Sequence, residues 1–241
     1  MKIFAAIVAA TAIGGATTSS MASTLNLQLD GWAAGPLSFK TSVTGNTGIN
    51  AGAFSWSDGV GNSYVTFCTE LTQNINFGNS YNYDIDSLSI APVPNDSINA
   101  AFPHLIGGMG TYRAGLVQNL YDQYFSVALD SSVNAAAFQL AIWEIVYEEG
   151  LAEGDNSTLN VSDGDFTISN NNAGNQSQTQ AITLANTWLS TLSSVGVTTL
   201  VALTNDTYQD QILLIPLPAP VLMAGLGLLA VPLIRRRVMR S

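Results

Sequence analysis

Apolar and polar residues alternate along the first third of the chain. Leu25, Leu27 and Leu29 are separated by polar residues, the period-two signature of a half-buried strand. Ser55-Trp56-Ser57 and Tyr64-Val65-Thr66-Phe67 repeat the pattern, with glycine-rich turns between them. From Tyr81 to Ile90 another strand is expected, with Tyr81, Tyr83 and Ile85 on one face and Pro92 and Pro94 closing it. The period then changes. In the stretch from Thr111 to Leu129, Leu116, Leu120, Tyr124 and Val127 fall at helical spacing. Ser131 or Ser132 caps a second helix that reads AAAFQLAIWEIVYE. A loop rich in Asn, Ser, Asp and Gly runs from Gly150 to Gln178, and Thr179 to Leu192 reads as a third helix. Val197 to Leu203 and Tyr208 to Ile215 read as closing strands. Strands, then helices, then strands predict one α+β domain, with antiparallel strands in a barrel- or sandwich-like arrangement and a subregion of about three helices.

Two further apolar runs lie at the ends. Residues 1–22 combine Lys2, an apolar stretch from Ile3 to Ile13 and the small-x-small site Ser20-Met21-Ala22, the build of a secretory signal peptide. Residues 215–241 hold a proline motif, an apolar segment up to Ile234, and Arg235, Arg236 and Arg237. About 20 apolar residues can span a bilayer, and the arginines would stay cytoplasmic. With Pro216, Leu217, Pro218 and Ala219, this tail resembles the PEP-CTERM sorting signal in its Pro-Leu-Pro-Ala variant. It departs from the usual pattern in having Ile215 where Val precedes the motif. The resemblance implies a Gram-negative envelope and transient insertion in the inner membrane. It also implies processing by exosortase, a transpeptidase that cuts at the proline motif and passes the body to a surface carrier. The mature protein would then lie at the cell surface or outside the cell. A plain C-terminal membrane anchor is the other reading.

The body left between the ends, 23–214, is strongly acidic. Lys40 and Arg113 face 17 acidic residues, a net charge of −15. Such a surface repels nucleic-acid phosphates and anionic membranes, so no nucleic-acid partner is expected. It would concentrate cationic amines over neutral nucleophiles.

Candidate chemistry centres on two residues. Cys68 is the only cysteine, so no internal disulfide can form. The helix from Ala135 to Tyr147 is apolar on nearly every side and therefore expected to be buried, with Gln139 and Glu144 as its polar breaks. A buried carboxamide left unpaired costs roughly 1–3 kcal/mol. Gln139 therefore either hydrogen-bonds a neighbouring backbone or is itself a reactant. A thiolate attacking its carbonyl would expel ammonia and leave an internal thioester.

The chain carries Phe67-Cys68-Thr69-Glu70 and later Phe138-Gln139-Leu140-Ala141-Ile142-Trp143. This pair of motifs resembles the thioester domains of bacterial surface adhesins. Those domains pair an aromatic-Cys motif with a later apolar-Gln-x-apolar-apolar motif that often ends in Trp. Here Phe138 stands where Thr often precedes the glutamine. The resemblance implies a thioester between Cys68 and Gln139, with Cys68 as leaving thiol and Gln139 as acyl donor. An external amine or hydroxyl on an unknown surface or polymer would attack it in a one-time, isopeptide-like crosslink. The chain would thus be a covalent adhesion module, not an enzyme, with no cofactor. The alternative is a structural matrix or biofilm protein without a thioester.

Other residues carry weaker signals. Glu70 and Glu144 could orient an amine, or be a solvated edge and a buried acid. His104, the only histidine, is a candidate general base or an ordinary loop residue. One His and one Cys fall short of a zinc ligand set, so no metal site is expected. Asp155, Asp163 and Asp165 lack EF-hand spacing, which leaves calcium as the weaker alternative for this acidic loop.

Overall fold

A computed structural model describes residues 24–45, 47–93, 101–193, 195–197 and 199–215. The signal segment 1–22 and the sorting residues Pro216, Leu217, Pro218, Ala219, Arg235, Arg236 and Arg237 lie outside these. Among the described residues no helix is long and apolar enough to cross a membrane.

Seven strands form one antiparallel sheet: β1 (Thr24–Thr41), β2 (Gly48–Ser57), β3 (Ser63–Cys68), β4 (Ser80–Ser87), β5 (Ile168–Asn170), β6 (Leu200–Thr204) and β7 (Gln211–Leu214). The pairing closes on itself. β1 pairs with β2, then β3, β7, β6 and β4 follow in turn, and β4 returns to the first residues of β1, Thr24 to Gln28. Six strands thus make a barrel, and β5 extends the far end of β1 through Phe39 to Thr41. Closure removes the exposed strand edges that an open sheet would present. Leu27, Leu29, Trp56, Phe67 and Tyr83 fill the core, as the period-two pattern requires. Leu25 and Ile85, expected on the same faces, are half-buried.

β1 stays long by bending. Its register against β2 shifts three times between Leu29 and Leu37. The bend brings the two backbones together at Gly35, with φ of 114°, and Gly52. A Cβ on Gly52 would lie 2.8 Å from the Ala34 carbonyl oxygen and 3.2 Å from the Trp32 ring.

Among the described residues three α-helices cover the barrel: α1 (Gly110–Ala128), α2 (Ser132–Tyr147) and α3 (Gln176–Leu189). Every residue of α2 from Ala135 to Tyr147 is buried, because β1 and β2 pack on it from one side and α1 and α3 from the others. The Ser131 side chain caps it, accepting from the Asn134 N–H at 3.1 Å. The expected α+β domain is therefore the observed one, with shifted boundaries. The Tyr81–Ile90 strand stops at Ser87, and Leu88–Ile90 form a 3-10 turn. The third helix begins at Gln176, and the long loop before it contains β5.

Candidate functional site

Cys68 is the last residue of β3, where the strand leaves the barrel opposite Gln211 of β7. Gln139 lies midway along α2, on the turn that packs against this strand end. The Cys68 backbone N–H donates to Gln139 Oε1 at 3.0 Å, and Gln139 Nε2 donates to the Cys68 carbonyl at 2.8 Å. A backbone N–H needs an acceptor and a carbonyl needs a donor, so this pair fixes which way the carboxamide faces. The Cys68 thiol lies 3.5 Å from the same Oε1. Both residues are sealed from solvent, Gln139 at 0% and Cys68 at 2% exposure.

Burial sets the protonation state of the thiol. Burial pushes the thiol pKa far up, and the Glu70 charge adds to this, with a smaller opposing effect from the Trp143 indole N–H. A free thiolate is therefore scarce at neutral pH, unlike in a turnover cysteine nucleophile. The Cys68 N–H on the carboxamide oxygen supplies the opposite help. It is placed to stabilise negative charge on that oxygen in a tetrahedral intermediate.

The motif neighbours form the wall of the site. The Phe67 ring lies 4.7 Å from the Phe138 ring, and Phe138 meets Tyr121 edge-on at 4.9 Å. Ala141 and Ile142 are fully buried. Thr69 is buried too, its N–H donating to the Asp210 carbonyl at 3.0 Å while its hydroxyl has no partner among the described residues. Trp143 follows Gln139 by four residues, one turn on along the same face. Its indole N–H is buried beside the Cys68 thiol, without a well-formed hydrogen bond among the described residues.

Glu70 is no solvated edge. It is fully buried, and its carboxylate accepts from the Asp210 N–H at 3.0 Å. Its backbone carbonyl accepts from Gln209 Nε2 at 2.7 Å. Asp210 beside it, unremarked in the sequence, accepts from the Val93 and Asn205 N–H groups at 2.6 and 2.7 Å, and burial pushes its pKa up to about 7.

Two other candidates sit elsewhere. Glu144 lies five residues from Gln139, about 140° around the helix. Its Oε1 accepts from the Asn160 N–H at 2.7 Å, so it anchors the long loop. His104 Nε2 contacts the Val146 carbonyl at 3.2 Å, and Arg113 Nη1 donates to the Ile145 carbonyl at 2.6 Å. These two cap the C-terminal carbonyls of α2, about 10 Å along the axis from Gln139. Burial, then the Arg113 charge, hold the imidazole pKa down. His104 is thus placed at the end of α2, apart from Gln139. Asp155 and Asp163 accept from the nearby Ser157 and Gly164 N–H groups. Among the described residues no group of three His, Cys, Asp or Glu is placed to hold a metal ion.

A groove of about 330 Å³ opens over Trp143, walled by Trp32, Phe54 and Phe77 and by Gln73 and Asn74. These residues escaped the sequence reading. The available signal was the run LTQNINFGN, which follows the cysteine motif directly.

Comparisons with protein-family models, curated proteins and solved structures give no match to this chain.

Proposed function

We propose that the chain is an exported covalent binding protein that carries an internal thioester between Cys68 and Gln139. The observation that carries this reading is the approach of the Cys68 thiol to 3.5 Å from Gln139 Oε1, with the Cys68 N–H donating to that oxygen at 3.0 Å. The thiol sulfur attacks the carboxamide carbon, a C–S bond forms and the C–N bond breaks. The amide nitrogen leaves as ammonia, taking up the thiol proton. Later an external amine or hydroxyl attacks the same carbon, the C–S bond breaks, and its proton ends on the Cys68 sulfur. Each molecule reacts once. The terminal segments add export, exosortase-type processing and display at the cell surface to this reading.

A second reading rests on the carboxamide itself. Both of its ends are satisfied by the Cys68 backbone, so Gln139 would also serve as an unreacted stitch between α2 and β3 in a structural surface protein. Intact mass of the mature protein from its own host separates the two. The thioester form is lighter by one ammonia than its sequence, and Cys68→Ala or Gln139→Ala restores the full mass for its sequence. The same spectrum reads both chain ends and so reports processing. Full mass with an unmodified Gln139 on peptide mapping, and a thiol that labels freely after unfolding, would leave only the structural reading.

A further inference from the structure

The groove over Trp143 has a chemistry of its own. Among the described residues no charged side chain lines it. Trp32 stacks on Phe54 at 4.5 Å between ring centroids, and the Phe77 ring meets Trp32 edge-on at 5.7 Å. Phe77 is 51% exposed, a large aromatic left in water at the mouth. Planar carboxamides from Gln73 and Asn74 complete the walls. Its volume falls in the range of small-molecule sites.

The hydrogen-bonding groups on this lining are neutral. Gln73 Nε2 donates to the Asp206 carbonyl at 2.9 Å, and its Oε1 has no partner among the described residues. The Trp143 indole N–H is buried toward the Cys68 thiol and is not offered to the groove. A hydroxyl can both donate to and accept from a carboxamide, whereas an ammonium can only donate. An ammonium would also enter a lining without a carboxylate and lose its water there. The aromatic faces suit the C–H face of a sugar ring, whose hydroxyls then meet the amides.

Resting on the thioester reading above, we propose that this groove binds a neutral glycan and that the acyl group of Gln139 passes to one of its hydroxyls. The C–S bond to Cys68 breaks, an ester C–O bond forms, and the hydroxyl proton moves to the Cys68 sulfur. Trp143 borders both the groove and the thiol, so it is the positioning residue between binding and reaction. The acidic surface attracts amines in general, but the groove selects by hydrogen-bond complementarity at the point of entry.

The test titrates the mature protein with cello-, malto-, manno- and N-acetylchito-tetrasaccharides and with spermidine. Tryptophan emission follows binding, and mass spectrometry follows adducts. At least one neutral saccharide should shift the emission and form an ester adduct that frees the Cys68 thiol. Phe77→Ala and Gln73→Ala should weaken that binding by about tenfold while leaving the ammonia loss unchanged. Phe77 is exposed, so its removal leaves the fold intact. No emission change with any saccharide, or spermidine acylated in preference to all of them, overturns the proposal. Saccharide binding without ammonia loss would retain the glycan site and remove the thioester. Ammonia loss without saccharide binding would do the reverse.

Discussion

Glu144 shows what a single buried carboxyl does to this protein. One of its oxygens accepts from the Asn160 N–H, and the other has no partner among the described residues. Burial pushes its pKa from 4.5 up to about 8, and the Glu148 charge also raises it. Asp210 behaves alike, rising from 3.8 to about 7 through burial. Both hold their proton more tightly folded than unfolded. Below about pH 4 both states are protonated and nothing is lost. As pH rises through the ordinary carboxyl range, the unfolded chain releases protons that the folded chain keeps. The contribution of these two groups therefore falls from about pH 4.5 to about pH 8, the span of the Glu144 shift, while His104, its pKa held down, contributes with the opposite sign around its ordinary range. Glu144→Gln should reduce that fall by about 1–3 kcal/mol, read from urea midpoints at pH 5 and pH 8. An identical pH dependence in the variant would remove Glu144 as its source. Gln139 and Glu144 gave the same sequence signal, a polar break in an apolar helix. That signal says a partner exists but not which one. Gln139 could be matched because Cys68 was equally anomalous. Glu144 could not, since its partner is a backbone N–H in a loop without pattern.

Among the elements, α2 carries the site and depends on aromatic packing to hold it. The Phe138 ring fits between Phe67 of β3 at 4.7 Å and Tyr121 of α1 at 4.9 Å, with Trp188 of α3 at 6.2 Å. It is the side chain that joins barrel, first helix and third helix. Phe138→Ala should cost about 3–5 kcal/mol, because surrounding rings from three elements cannot all collapse into the space. A thermal or urea denaturation would read this. A loss under about 1 kcal/mol would mean the ring is not the joint between the layers. α1 was legible because its apolar residues recur at helical spacing over several turns, and α2 because a long apolar run follows a Ser cap. β1 was legible only at its start. Beyond Leu29 it reads DGWAAGPLSFKT, with Gly35 and Pro36 in its middle, which suggests a turn. The strand continues because β2 follows it through the bend, with Gly52 allowing the close approach. β5 is three residues long and exists by pairing with β1, so no local pattern could mark it. The groove residues come from β1, β2, α2 and the loop after β3, and barrel closure alone brings them together.

For the whole molecule, the Cys68–Gln139 bond would be a covalent staple between the barrel and its helical cover. The two residues are 71 positions apart. Fixing them together removes closure entropy from the unfolded chain much as a disulfide does, worth about 4 kcal/mol for a loop of this length. The folded state already holds the two groups in contact, so the bond should add little strain. The crosslinked protein should therefore unfold at higher denaturant than the same chain after the bond is opened. Methylamine is the direct tool, because it opens the thioester in the wild-type protein without removing a side chain. Treated protein should gain one methylamide at Gln139 and one free thiol, and should lose about 4 kcal/mol of stability. Cys68→Ala gives a weaker comparison, since it also leaves a cavity. Once a target is captured, the same bond is broken, so binding should loosen the join between helices and barrel. Unchanged denaturation after complete methylamine addition would show that hydrogen bonds and packing alone hold α2 on β3.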